Sequence, residues 1–265
     1  MDRERFQLAC KAAAEREKGI ISDADGSLRP GGIGTRGEKG VHSALKHYYE
    51  PDVTCHEIPV GGYIADIVGE HGVIEIQTAS FYRLKEKLTA FLEAAPVTVV
   101  WPCVVKKRLI TIDPDTGEVS SVRRSPKKSS RYKLLGELWG LGELLGHPRL
   151  SIIAALIEAD EYRPAGQQKN RRRRGANNGI ERIPTDLVEE LRFDCPEDFR
   201  ALIPDSLPGR FTMAELSGAT GLSSLQTSGA VKALIRMGLI AEDGKNGRRR
   251  AFVRTADSAL SQVGE

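Results

Sequence analysis

The chain has 265 residues, 40% hydrophobic and 28% charged, with four cysteines and a formal net charge of +3 at pH 7. This is a folded, water-soluble composition with room for one large or two ordinary domains. The longest near-apolar run, residues 94–105, is broken by Pro96 and Pro102, far short of the ~20 residues that cross a bilayer. The charged start MDRERF carries no secretory signal, and Cys10, Cys55, Cys103 and Cys195 form no Cys-x-x-Cys pair. A disulfide frame and a zinc cluster are therefore excluded, and a cytoplasmic protein with no membrane partner is expected.

In chain order, residues 3–18 read as a helix, followed by a Gly- and Asp-rich loop to Gly34. A second helix runs from about Arg36 to Tyr49, where Val41, Ala44, Leu45 and Tyr48 recur at the helical period, and Pro51 ends it. Three strand-like runs follow at 53–60, 63–68 and 73–77, the last two joined by the turn Gly69-Glu70-His71-Gly72. A helix over 80–94 places Phe81, Leu84, Leu88, Phe91 and Leu92 on one face. Residues 97–100 then read as a buried strand, and 107–112 with 118–123 as a hairpin around Asp115-Thr116-Gly117. This α/β layer is expected to close near residue 125.

Residues 126–165 form an uncertain α/β extension: 134–145 are helical but rich in glycine, and 150–157 suit strand or helix equally. Residues 166–183 read as a basic linker containing Arg171, Arg172, Arg173 and Arg174. Pro184-Thr185-Asp186 opens a short helix, and a last domain spans 184–265. There Thr212 and Glu215 form a capping box, Gly221 ends one helix, Ser223 or Ser224 caps the next, and a hairpin turns at 243–247.

Net charge conceals local bias. Residues 104–133 hold nine basic against three acidic side chains, and residues 163–182 seven against one. Such clusters suit a polyanion, or are simply solvated loop charge.

The chemically informative segment is the acidic hairpin. Glu75 and Gln77 share one face of their strand, and a hairpin closed by Gly69–Gly72 sets Asp66 opposite Glu75. Facing carboxylates repel, and a divalent cation between them reverses that sign. Glu38 shares the buried face of the preceding helix and His42 stands one turn after it, while Glu38 also completes a capping box with Thr35. Lys85, on the core edge of the next helix, is placed to bring an ammonium to the site, or to snorkel at the surface.

Glu38, Asp66 and Glu75-Ile76-Gln77, in helix–strand–strand–strand–helix–strand order over residues 34–105, resemble the PD-(D/E)XK nuclease superfamily. The resemblance implies a restriction-endonuclease-like core, a mixed sheet flanked by helices. It also implies Mg²⁺ or Mn²⁺ held by Asp66, Glu75 and the Ile76 carbonyl, with Glu38 orienting or sharing the metal. Two residues depart from its pattern: Ala65 replaces Pro, and Gln77 replaces the Lys that orients water. Residues 196–256 resemble a winged helix-turn-helix, with Gln226, Thr227 and Lys232 on its second helix and Arg248, Arg249 and Arg250 on its wing as nucleic-acid contacts. The expected function is a metal-dependent DNA endonuclease, with RNA left open, and cutting both strands of a duplex favours a homodimer. The alternative is a catalytically inactive nuclease-fold DNA-binding or regulatory protein.

Overall fold

A computed structural model of the protein describes residues 2–16, 20–22, 28–30, 40–78, 80–113, 116, 118–126, 129–165 and 181–256. Glu38, Lys127, Lys128 and the arginines 171–174 lie outside the described residues.

Helix α1 (Arg3–Arg16), the short strands β1 (Ile20–Ser22) and β2 (Leu28–Pro30) and helix α2 (Gly40–Tyr49) open the chain. An antiparallel meander follows: β3 (His56–Val60), β4 (Tyr63–Gly69) and β5 (Gly72–Ile76). Gly61 and Gly62 turn the first hairpin with φ of 55° and 83°, the left-handed pair that matches strand twist. The second turn needs glycine for another reason. Gly72 has φ of 106°, and a Cβ there would stand 2.3 Å from the Pro96 carbonyl oxygen.

A 3-10 turn at Phe81–Leu84 leads into α3 (Lys85–Ala94), which returns the chain to β6 (Val97–Ile112), parallel to β5. Strand β7 (Val119–Arg124) folds back on the far end of β6. Residues 131–144 form a 3-10 turn, the short helix α4 (Leu135–Leu138) and a second 3-10 stretch at Trp139–Leu144. Next comes β8 (Leu150–Pro164), parallel to β6, and then β9 (Glu181–Phe193), antiparallel to β8. The resulting mixed sheet has the order β3-β4-β5-β6-β8-β9, with β7 attached to β6.

Burial on both faces explains this layer. In β6, Val97, Val99, Trp101 and Cys103 join one apolar cluster while Val100 joins the other; in β8, Ile152, Ala154 and Leu156 alternate with Ile153, Ala155 and Ile157. Such strands are covered by helices on either side. α1 and α2 cover one face through Phe6, Ala9, Ala44 and Leu45. α3 and residues 134–145 cover the other through Leu88, Phe91, Leu134, Leu138 and Leu141.

Two expectations change. The sheet does not close near residue 125, because β8 pairs along most of β6 and β9 lies beside β8. Residues 184–186 are strand and not helix: Ile183 and Leu187 are buried, so tertiary burial outweighs the turn-forming Pro-Thr-Asp signal.

The C-terminal unit comprises a 3-10 helix at Pro196–Leu202, β10 (Arg210–Thr212), α5 (Met213–Thr220), α6 (Ser224–Arg236), β11 (Ile240–Asn246) and β12 (Arg249–Arg254). Its sheet has the order β10-β12-β11. Thr212 with Glu215, and Ser223 with Gln226, form the capping boxes of α5 and α6. Its core (Phe211, Leu216, Leu234, Phe252) is continuous with the α3 side of the large sheet. Among the described residues, no helix is long and apolar enough to cross a membrane.

Candidate functional site

The acidic hairpin opens at its free end. Its ladder runs from Gly69–Gly72 through Val68–Val73 to Ile67–Ile74 and stops there. Beyond that point side chains replace backbone partners. The Ile76 amide donates to Asp66 Oδ2 at 2.7 Å, and the Asp66 amide approaches Glu75 Oε2 at 3.4 Å. Asp66 and Glu75 therefore stand side by side, as the register read from Gly69–Gly72 requires.

Two cationic or proton-bearing groups close on this pair from opposite helices. His42 of α2 lies 3.1 Å from Asp66 Oδ2 through its Nε2. Lys87 of α3 donates its Nζ hydrogen to Glu75 Oε1 at 2.5 Å and lies 5.4 Å from the centre of the buried Phe91 ring. The site thus spans the sheet between its two helical layers.

Electrostatics differentiate the carboxyls. Glu75 is only 4% exposed; burial and the neighbouring Asp66 charge push its pKa up, against the opposing pull of Lys87. Burial also acts to raise Asp66, but the hydrogen bond and charge of His42, the Ile76 amide and Lys87 together bring it below the usual range. Neighbouring acids pushed apart in this way suit one to remain ionised while the other exchanges a proton.

A divalent cation fits this donor set in part. The oxygens are hard donors, and Asp66 Oδ1 takes no hydrogen bond from any described residue. Among the described residues, however, no group of three or more His, Cys, Asp or Glu side chains is gathered as a metal cluster. The acid pair would offer two side-chain ligands.

The other expected residues divide. The Gln77 side-chain amide donates to the Ser80 carbonyl at 2.9 Å, tying the segment after β5 into a turn. Lys85 points away and pairs with Glu143 at 2.5 Å; the lysine at the acids is Lys87. Its position was readable, since it lies three residues after Leu84 and four before Phe91, both on the core face.

Thr227 cannot be a groove contact: it is 0% exposed, and its hydroxyl donates to the Ser223 carbonyl. Gln226 accepts from the Ser223 amide and hydroxyl, and its Cβ lies where a Cβ on Gly136 would come within 3.0 Å. The first turn of α6 is thus occupied by capping and by α4. Lys232 is exposed, as are Arg248 and Arg249 on the β11–β12 hairpin, whereas Arg250 is paired with Glu242.

The basic clusters are also partly neutralised internally. Lys106, Lys107 and Arg108 pair with Glu158, Glu161 and Asp160 across β6 and β8, and Arg131 pairs with Glu189. Arg163 and Arg182 join Lys107 on the fully buried Glu161. Arg123 and Arg124 remain exposed on β7.

An uncharacterized protein of Treponema pallidum (strain Nichols) is 28% identical over 221 residues, covering 83% of this chain and 86% of its own length. No solved structure matches the chain. Residues 39–194, which carry the large sheet and both carboxylates, match the family described as Domain of unknown function (DUF8091); the protein belongs to that family.

Proposed function

We propose that this protein is a metal-dependent nuclease that hydrolyses phosphodiester bonds in DNA. The observation that carries this reading is the pairing of Asp66 with the buried Glu75 between His42 and Lys87. The surrounding elements support it. α2-β3-β4-β5-α3-β6 follow the order of a PD-(D/E)XK core, and β10-α5-α6-β11-β12 follow that of a winged helix.

In this reading Asp66, Glu75 and the Ile76 carbonyl would hold Mg²⁺ or Mn²⁺. When bound, the metal supplies Lewis-acid polarisation of the phosphate and lowers the pKa of water. The protein's own groups do the rest. His42 and the Ile76 backbone amide both fix the Asp66 carboxylate through Oδ2. Lys87 supplies, from α3, the positive charge that Gln77 lacks, near enough to Glu75 to orient a water against it. The exposed Arg248 and Arg249 contact phosphates.

A second reading, a catalytically silent DNA-binding protein, is favoured by two observations: Lys87 already pairs with Glu75, and the Gln77 side-chain amide is committed to the Ser80 carbonyl. The test is cleavage of supercoiled, linear, single-stranded and branched DNA with Mg²⁺ or Mn²⁺, with Asp66→Ala in parallel. Metal-dependent cutting that Asp66→Ala abolishes supports the nuclease. DNA retained in a gel shift without cutting on any substrate leaves the second reading.

A further inference from the structure

On the turn that comes next in the chain after β5, backbone packs on backbone and two aromatic rings are left uncovered. The 3-10 turn Phe81–Leu84 is the next element after β5, and the Gln77 side-chain amide, one residue past the strand, donates to the carbonyl of Ser80, the residue before the turn. Tyr82 on that turn is 77% exposed. A Cβ on Gly140 would come 2.6 Å from the Tyr82 amide nitrogen and 3.1 Å from the Phe81 carbonyl carbon, so glycine is what lets the 139–144 stretch lie against this turn.

Trp139, next to Gly140, is held on its other side by α6. A Cβ on Gly229 would meet the Trp139 Cβ at 3.5 Å. The indole is 41% exposed, and Lys232 Nζ stands 5.4 Å from its ring centroid. Leu225, four residues before Gly229 and seven before Lys232, is 85% exposed on the same helical face.

An exposed indole beside an ammonium, with an exposed phenol on the backbone turn packed against the next residue, suits one ligand chemistry well. An unpaired base offers a π-face to each ring, and its phosphate offers an anion to the lysine. A duplex hides its base faces within the stack and gives Tyr82 nothing to cover. A purely apolar protein partner would leave Lys232 desolvated without a counter-charge.

We propose that Tyr82, Trp139 and Lys232 form a stacking platform for an unpaired nucleic-acid strand leading to the Asp66–Glu75 site. This rests on the nuclease reading and deepens it: the substrate is single-stranded, or a duplex with a frayed end.

The test measures binding of the full-length protein to labelled oligothymidylate and to a duplex of equal length by fluorescence anisotropy, in EDTA so that nothing is cut. Oligothymidylate should bind more tightly than duplex. Tyr82→Ala should weaken that binding about tenfold, the loss of roughly one stacked base, and Tyr82→Phe should restore it. Lys232→Ala should reduce the slope of log affinity against log salt by about 0.7. A Tyr82→Ala variant that binds oligothymidylate like the parent, or a Tyr82→Phe variant as weak as Tyr82→Ala, overturns the platform. So does a Tyr82→Ala variant that sediments as a smaller species, which would give the surface to a second copy of the chain. Duplex cleavage without oligothymidylate binding overturns the platform and leaves the nuclease standing. Tyr82-dependent binding in a protein that cuts nothing overturns the nuclease and leaves the platform.

Discussion

Replacing Lys87 with methionine keeps the side-chain stem over Phe91 and removes the ammonium from Glu75 Oε1. Breaking a fully buried pair costs about 3–5 kcal/mol, because the remaining charge is stranded. The Lys87 side chain is 21% exposed against 6% for Glu75, so water reaches part of the pair and a loss of about 2 kcal/mol is expected. With an unfolding entropy near 2.1 cal/mol/K per residue over this chain, that lowers Tm by about 3–4 °C at pH 7. Glu75→Gln, which removes both the stranded charge and the repulsion from Asp66, should be close to neutral. The double variant should sit near Glu75→Gln, leaving a coupling of about 2 kcal/mol in the cycle. The sign with pH follows from Glu75. Its folded pKa is raised above 4.5, and losing Lys87 raises it further, so the carboxyl favours folding below 4.5 and loses that contribution as pH climbs through the folded value. The Lys87→Met defect should therefore be largest at neutral pH and fade toward 4.5. Thermal melts at several pH values measure it; a defect of equal size throughout would refute the charge argument and leave only lost packing.

Four more outcomes follow from particular contacts. Gly72→Ala, forced into φ of 106° against the Pro96 carbonyl, should cost about 3 kcal/mol or more by denaturant titration. The Glu161 carboxyl, raised by burial but held at about 2 by Lys107, Arg163 and Arg182, gives stability that is present above 4.5 and lost as pH falls toward 2; Glu161→Gln should be destabilised by about 3 kcal/mol at neutral pH and match the parent in strong acid, read by melts across that range. Arg248→Ala or Arg249→Ala should each reduce the salt slope of duplex binding by about 0.9, whereas Arg250→Ala, already paired with Glu242, should reduce it less. A fragment ending at residue 194 uncovers Leu134, Leu138 and Phe193 from the core they share with the C-terminal unit, and should aggregate or bind a hydrophobic dye where the full chain does not.

Much of the sheet was legible because local chemistry and tertiary packing agree there. The Gly69–Gly72 turn fixed the register that sets Asp66 beside Glu75, and a single slip would have put every side chain on the wrong face. The core face of the third helix, Phe81 to Leu92, is buried as its period requires. β8 and β9 were not legible as a continuation of the sheet. β8 is buried on both faces, so it carries an unbroken apolar run in place of an alternation, and such a run reads equally as helix. β9 opens with a turn-like Pro184-Thr185-Asp186, which only its buried neighbours Ile183 and Leu187 overrule.

Charge misleads in the same way when read along the chain alone. Residues 104–133 look like an open basic face, yet β6 and β8 run parallel in a register that brings Lys106, Lys107 and Arg108 against Glu158, Asp160 and Glu161. A sum over a window cannot see a neutralising strand whose partners lie 52 and 54 residues away. The first turn of α6 shows the converse. Ser223, Gln226 and Thr227 look like a polar surface for reading bases, but their polarity is spent within the helix, on its capping box and on the Ser223 carbonyl. Outward on α6 stand Ser224, Leu225, Lys232, Ile235 and Arg236, and Trp139 from the other half of the molecule sits against Lys232. The part of this helix around Lys232 therefore belongs to a surface built jointly by both halves of the molecule, where Trp139 packs on Gly229 and beside Lys232.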